Sequence, residues 1–261
     1  MNLNKYKGLG QFGSAYKIMF ENDIHATNSV DRVLTEQMIL LCLKTKKYLY
    51  SKFTPTKVSY TNNSRPILEE YLKKIIGNSK TEEEKIKSIT KFCKKLAKTT
   101  AVKFGGTEEE IIKRGSDWCT DLARVGCILF QIAGLPSRLV ILINIDKAYN
   151  GHEIVEVYWN NKWGAIDTTY GIIYRNKEKR SLSVWNLMND SGLIRINVKK
   201  SMANEMIGKF RSAALINYFI KDFKKYIYTK SKVHNYYRGI FKMSSRGWPG
   251  GIRWLNNEDR L

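Results

Sequence analysis

The chain predicts an α+β fold in which a cysteine-bearing helix packs on an antiparallel sheet that carries a histidine and an aspartate. Three observations predict it. A segment with helix punctuation at both ends opens near Cys119. An alternating hairpin rich in branched and aromatic residues covers 151–170. His152 and Asp167 fall on the two arms of that hairpin.

The helix comes first. Between Gly115 and Pro136, Ser116 or Asp117 can cap the N-terminus, and Gly134 followed by Pro136 stops the helix. Leu122, Val125, Leu129 and Ile132 recur at helical spacing, which predicts one buried face. Cys119 then lies in the first turn, where N–H groups lack intrahelical partners and the helix dipole favours negative charge. That setting favours the thiolate, and the same N–H groups can hold a developing oxyanion. Cys127 sits two turns further in, where a cysteine is an inert packing residue.

The hairpin has arms Gly151–Trp159 and Lys162–Tyr170 around Asn160-Asn161. Asparagine tolerates positive φ, so the pair suits a two-residue turn. Such a turn pairs Trp159 with Lys162 and, counting back, Ile154 with Asp167. His152 then shares a face with Asp167 at one diagonal step, roughly 7–8 Å between backbone positions. A one-residue change in turn length would separate them.

The three residues divide the work of thiol chemistry. Cys119 attacks a carbonyl carbon, His152 takes and returns the proton, and Asp167 orients the imidazole and stabilises its charged form. Taken singly, a cysteine is usually core, a histidine surface or satisfied core, and an aspartate at a strand end a turn cap. The local context of all three together favours the chemical reading. Trp118 and Gln11 are candidates for a second oxyanion donor.

These residues also carry a family resemblance. The run from Cys119 through Gly134-Leu-Pro-Ser-Arg138, then Gly151-His152, then Trp163 and Asp167-Thr-Thr-Tyr170, resembles the transglutaminase-like superfamily over about residues 66–172. The stretch from Thr81 to Lys98 looks like that family's lead-in helix. The resemblance implies a papain-like core with Cys119, His152 and Asp167 as its triad. Asp117 stands where members often have glycine, and Ile154 where they often have an aromatic residue; neither change removes a catalytic group.

Several activities of that family do not fit. Cys42, Cys93, Cys119 and Cys127 lack the paired spacing of the zinc sites in peptide N-glycanases. The 24 acidic residues form no oxygen-rich loop of the kind calcium-dependent transglutaminases carry. The sequence around Cys119 differs from that of arylamine N-acetyltransferases. A hydrolase, isopeptidase or acyl transferase acting on a protein, peptide or small amide or ester is what the resemblance leaves. No cofactor is expected. His25 and His234 have no cluster around them, so no metal is expected either.

Composition bounds the rest. Hydrophobic residues make up 43% of 261, enough for one sizeable core. The start has no apolar signal region, and the longest apolar run, Met38 to Leu43, is too short to span a bilayer. With four unpatterned cysteines, the expectation is a cytoplasmic protein with reduced thiols.

The expected organisation is an N-terminal helical or irregular extension at 1–65, a catalytic core at 66–175, and a basic, aromatic, helical C-terminal extension at 176–261 packed on the core. In the first part, Gly8 to Lys17 mimics a kinase glycine loop, but no matching catalytic motifs follow. It reads as a turn-rich opening segment. A helix is expected over 31–47, with Val33, Met38, Leu41 and Leu43 packing, and another from Met202 to Tyr228, burying Ile207, Phe210, Ala214 and Tyr218.

The net charge is +21. From Asn197 to Leu261 there are 14 Lys or Arg against 4 Asp or Glu, interleaved with 11 aromatics. Cations neutralise phosphates and rings stack on bases, so a nucleic acid or acidic protein partner is the alternative function, on a catalytically silent fold. The plainer reading is a helix with solvated lysines.

Overall fold

Helix ends follow the capping chemistry of the chain. The computed structural model describes residues 39–41, 43, 46, 49–50, 62–98, 107–143 and 151–216. Helix α1 (Pro66–Ile76) has proline in its first turn, where the missing N–H costs nothing, and ends at Gly77 with φ 47°. Helices α2 (Glu82–Leu96) and α3 (Glu108–Arg114) each open with a reciprocal capping box, Thr81 with Glu84 and Thr107 with Glu110. Helix α4 (Cys119–Ile132) ends in a Schellman motif. There Leu135 N–H donates to the Phe130 carbonyl at 2.9 Å and Gly134 N–H to Gln131 at 3.0 Å, with Gly134 at φ 84°.

Strands β1 (Ile39–Leu40), β2 (Ser137–Ile143), β3 (Gly151–Trp159), β4 (Lys162–Asp167), β5 (Ile172–Ile173) and β6 (Ser212–Ile216) form one antiparallel sheet. Their order is β1-β6-β2-β3-β4-β5. Asn160 and Asn161 both adopt positive φ, 48° and 61°, as a type I′ hairpin requires. The turn pairs Trp159 with Lys162 and Val155 with Ile166, the register expected from the sequence.

Side-chain alternation sends the sheet into two cores. Leu139, Val155, Val157 and Ile166 pack with residues of α1 to α4. Val140, Leu142, Ile154 and Ala165 take the other face, with residues of α5 (Val184–Asn189), α6 (Ser191–Arg195) and α7 (Ala203–Lys209). The fold is therefore α+β, with helices on both sides of an antiparallel sheet. No helix among the described residues is long and apolar enough to cross a membrane.

One buried ion pair fastens distant segments to the second face. Arg138 Nε and Nη2 donate to Glu156 Oε2 at 2.9 and 2.6 Å, and Nη1 to the Leu49 carbonyl at 2.6 Å. Glu156 Oε1 accepts from the Tyr50 hydroxyl and from Val184 N–H, each at 2.7 Å. Both charges are fully buried, and the guanidinium lies 4.0 Å from the centre of the Trp163 ring. Every oxygen and every guanidinium nitrogen of the pair thus has a partner, which is what makes such burial tolerable.

Three expectations are corrected. Helix α4 does not bury one face only: every residue from Asp121 to Gln131 is buried, because the helix sits between α1, α2, α3 and the sheet. The helix expected over 202–228 stops at Lys209, and Ser212–Ile216 is a strand instead. Its backbone pairs with β2 from Leu139 to Ile143 and with β1, so long-range pairing overrides local helical spacing. For the same reason Ile39 and Leu40, inside the helix expected over 31–47, form β1 against Leu215 and Ala214. Leu41 is buried there, whereas Leu43 is exposed. Residues 1–38, with Gln11 and His25, and 217–261, with Tyr218 and His234, lie outside the described residues, as does Cys42.

Candidate active site

The loop before Cys119 is held from behind by the end of α2. Lys98 N–H donates to the Ser116 carbonyl at 2.9 Å, and Ser116 N–H to that of Leu96 at 3.0 Å. Gly115 makes this approach possible: its φ is 76°, and a Cβ there would meet the Leu96 carbonyl oxygen at 2.7 Å. Trp118, not Ser116 or Asp117, occupies the N-cap position of α4, and its side chain makes no capping bond. Ser116 acts one step earlier. Its hydroxyl accepts from Trp118 N–H at 3.1 Å and donates to the buried Asp121 Oδ2 at 2.8 Å. Asp121 also receives Arg114 at 2.9 Å, so a paired acid sits in the first turn where the dipole favours it.

Cys119 is thereby placed at the start of α4 as a free, partly buried thiol. His152 lies at the start of β3 and Asp167 at the end of β4, the same end of the sheet, and both are buried. His152 Nε2 stands 2.8 Å from Asp167 Oδ2. The Cys119 thiol is near enough to the imidazole to raise its pKa, and the imidazole's Nε2 is taken up by Asp167. The three residues picked out in the sequence are brought together, the thiol beside an imidazole that pairs with a carboxylate.

The electrostatics of the group follow from this contact chain. Burial alone pulls the His152 pKa down, but the charge and hydrogen bond of Asp167, then those of Cys119, outweigh it and push the value up to about 10. Cys93, enclosed by apolar neighbours on α2, has its thiol pushed up to about 12 by burial. Burial pushes Cys127 higher still, against a hydrogen bond from Ser137.

Residues 69–168 match the family model of the transglutaminase-like superfamily. The match covers 100 of the 261 residues. It begins inside α1 and ends one residue past Asp167, so it holds all three members of the chain of contacts. The protein is also similar to a solved structure, a candidate cysteine protease from Cytophaga hutchinsonii, at 17% identity and a TM-score of 0.34. That likeness covers 42% of this chain and 43% of the other, so this chain spans less than half the length of that neighbour. No curated protein matches the chain.

Sequence reasoning missed several groups around Cys119, His152 and Asp167. The Tyr170 ring lies against the His152 ring, with centroids 5.4 Å apart. Its position three residues after Asp167 on a tight turn was the available signal. Burial raises the Tyr170 pKa, and the Lys209 ammonium opposes the rise. Lys209, nearly buried on α7, pairs with Glu205 at 2.7 Å. The hydrogen bond and charge of Lys209 lower the Glu205 pKa, and the charge of His152 adds to the effect. Gly126 of α4 lies against Thr168, where a Cβ would meet Cγ2 at 2.6 Å.

Of the two candidate oxyanion donors, Trp118 is adjacent to Cys119, with its backbone N–H committed to Ser116. Gln11 lies outside the described residues. Among the described residues, no three His, Cys, Asp or Glu side chains gather in a way that could hold a metal ion.

Proposed function

We propose that the transglutaminase-like domain is a thiol enzyme acting on an amide or ester through a thioester on Cys119. The observation that supports this most directly is that the partly buried Cys119 thiol lies near His152, which is buried and paired with Asp167 at 2.8 Å. With Nε2–H donated to Asp167, Nδ1 is the site that exchanges a proton with sulfur. The thiolate attacks the carbonyl carbon, and first-turn N–H groups of α4 face the charge that develops on oxygen. His152 then gives its proton to the departing amine or alcohol as the carbon–nitrogen or carbon–oxygen bond breaks. A water or an amine, deprotonated by the same nitrogen, attacks the thioester and releases Cys119.

The test is selective labelling. Iodoacetamide should alkylate Cys119 in the folded protein at least tenfold faster than Cys42, Cys93 or Cys127, and His152→Ala should slow it. Mass spectrometry after incubation with a mixture of amide and ester substrates should then find an acyl adduct on Cys119. Equal reactivity of all four thiols would overturn the proposal.

A further inference from the structure

We propose that Glu205 and Lys209 of α7 are positioning residues that act on His152, the carboxylate favouring the imidazolium and the ammonium opposing it. This rests on the thiol-enzyme reading above and adds to it two residues that lie outside the matched stretch. Strand pairing brings them to the site. His152 pairs with Leu142 across β3 and β2, and Leu142 with Ala213 across β2 and β6. The three form one row on the face where Leu142 and Ala213 enter the core shared with α5 to α7. Lys209 stands four residues before Ala213, so the end of α7 lies at the end of the sheet that carries the imidazole.

Packing fixes the helix there. Met206 and Phe210, four residues apart, are buried in this core. The Phe210 ring meets the Tyr174 ring edge-on, with centroids 5.5 Å apart. Tyr174 N–H in turn donates to the carbonyl of Ala165, two residues before Asp167, at 3.1 Å. Glu205 and Lys209 form the adjoining stripe of the helix, and their charges meet at 2.7 Å. Such a pair in water is worth little, but the Lys209 side chain is only 7% exposed, against 53% for Glu205. A nearly buried ammonium needs a counter-ion, and among the described residues Glu205 supplies it.

The coupling to the site is reciprocal. The hydrogen bond and charge of Lys209 lower the Glu205 pKa, and the charge of His152 lowers it further. By linkage, an ionised Glu205 strengthens the hold of His152 on its proton to the same extent. Lys209 works against this by neutralising the carboxylate. Its charge also opposes the burial that raises the pKa of Tyr170, whose ring lies against the imidazole.

The other groups that face His152 are Asp167 from β4, Cys119 from α4 and Tyr170 from the turn after β4. Burial weakens the hold of His152 on its proton, and Asp167 and Cys119 strengthen it. Lys209 is then the cation set against those anions. His152 has to keep its proton beside a thiolate and later surrender it to the leaving group, so the balance of these charges bears on both steps.

The test is the titration midpoint of His152, followed in the full chain by the NMR shift of its imidazole C–H. The chain has three histidines, and His152→Gln identifies the signal. At low ionic strength Glu205→Gln should move the midpoint down by about 0.3–1 pH unit, and Lys209→Met should move it up by a similar amount. Glu205→Gln/Lys209→Met removes one charge of each sign and should return the midpoint close to that of wild type. Glu205→Gln strands a nearly buried ammonium. Lys209→Met keeps the stem and leaves the carboxylate facing water, so it is the arm that stands alone if the other does not fold.

A midpoint that stays or falls in Lys209→Met would overturn the proposal, as would one that stays or rises in Glu205→Gln. A double variant displaced as far as either single would overturn it too, and would leave the ion pair a fastening of α7. Failure of the thiol-enzyme reading would show separately, as a Cys119 no more reactive than Cys93 toward iodoacetamide while the His152 midpoints still move.

Discussion

Asp167 turns one carboxylate oxygen to His152 and keeps the other for the backbone. Oδ2 lies 2.8 Å from His152 Nε2, while Oδ1 accepts from Thr169 N–H at 3.0 Å and Tyr170 N–H at 2.9 Å. One residue thus caps the turn and pairs with the imidazole. The turn bonds hold the carboxylate in place, and they also set Tyr170 down on the imidazole ring.

Asp167→Asn should separate the two tasks. The amide oxygen can still accept the turn N–H groups, whereas the negative charge beside His152 is gone. Iodoacetamide labelling of Cys119 at pH 7 should slow roughly tenfold or more, and thermal stability at pH 7 should fall because the charge that holds the His152 proton is lost. Asp167→Ala should add a drop in melting temperature, measured by circular dichroism. Equal labelling rates in wild type and Asp167→Asn would contradict the orienting role.

The stability of the fold should fall as pH rises from about 6.5 to 10. Because the folded-state pKa of His152 is raised to about 10, the folded chain holds this proton more tightly than the unfolded chain does. The contribution is complete below the unfolded value near 6.5 and is lost as pH climbs through the folded value. The loss should be on the order of a few kcal/mol. Urea midpoints measured at intervals across that window should decline in wild type and decline less in His152→Gln.

Gly126→Ala should destabilise the domain even though alanine is the better helix former by about 1 kcal/mol. The added methyl group would stand 2.6 Å from Thr168 Cγ2, next to Asp167. Overpacking of that kind costs roughly 1–3 kcal/mol and would push α4 from the strand end. Thr168→Ser removes the offending carbon, so the double variant should regain most of the stability and of the Cys119 labelling rate.

Arg138→Met should cost about 3–5 kcal/mol in urea unfolding. It leaves Glu156 charged and fully buried, with only the Tyr50 hydroxyl and Val184 N–H as donors. Cys119 labelling in the surviving folded fraction should change much less, since the pair lies further along the strands from His152.

Tyr170→Phe should keep the labelling rate near wild type, because the ring that covers His152 stays. Tyr170→Ala should slow it severalfold by admitting water to the imidazole–carboxylate contact. A pH–rate profile on both variants distinguishes ring from hydroxyl: only the alanine variant should move.

Much of the site was legible because its geometry is written in short-range signals. Asn160-Asn161 prescribes a two-residue turn, and turn length fixes which side chains share a face. From that alone His152 and Asp167 fall together. Gly134 and Pro136 mark the end of α4, and Thr81 with Glu84 marks the start of α2, for equally local reasons. Tyr170 was harder to see. Its ring reaches His152 only because Asp167 caps the turn between them, a contact that follows from the site and does not announce it.

What the chain determined by itself was parity and punctuation: where helices start and stop, and which hairpin residues face one another. Tertiary structure decided the partners. Ser212–Ile216 is helical by spacing, yet it lies as a strand because β2 offers a free edge of backbone donors and acceptors. Helix α4 is amphipathic by pattern, yet it is enclosed because three helices close over its polar side, where Asp121 and Arg124 find charged partners. Lys94, in the last turn of α2, and Lys98, two residues past its end, are solvated lysines by sequence, yet the fold lays them across Gly171 and Gly115. Local rules act over a few residues, whereas burial and pairing depend on which distant surfaces meet, and that is settled only when the whole chain packs.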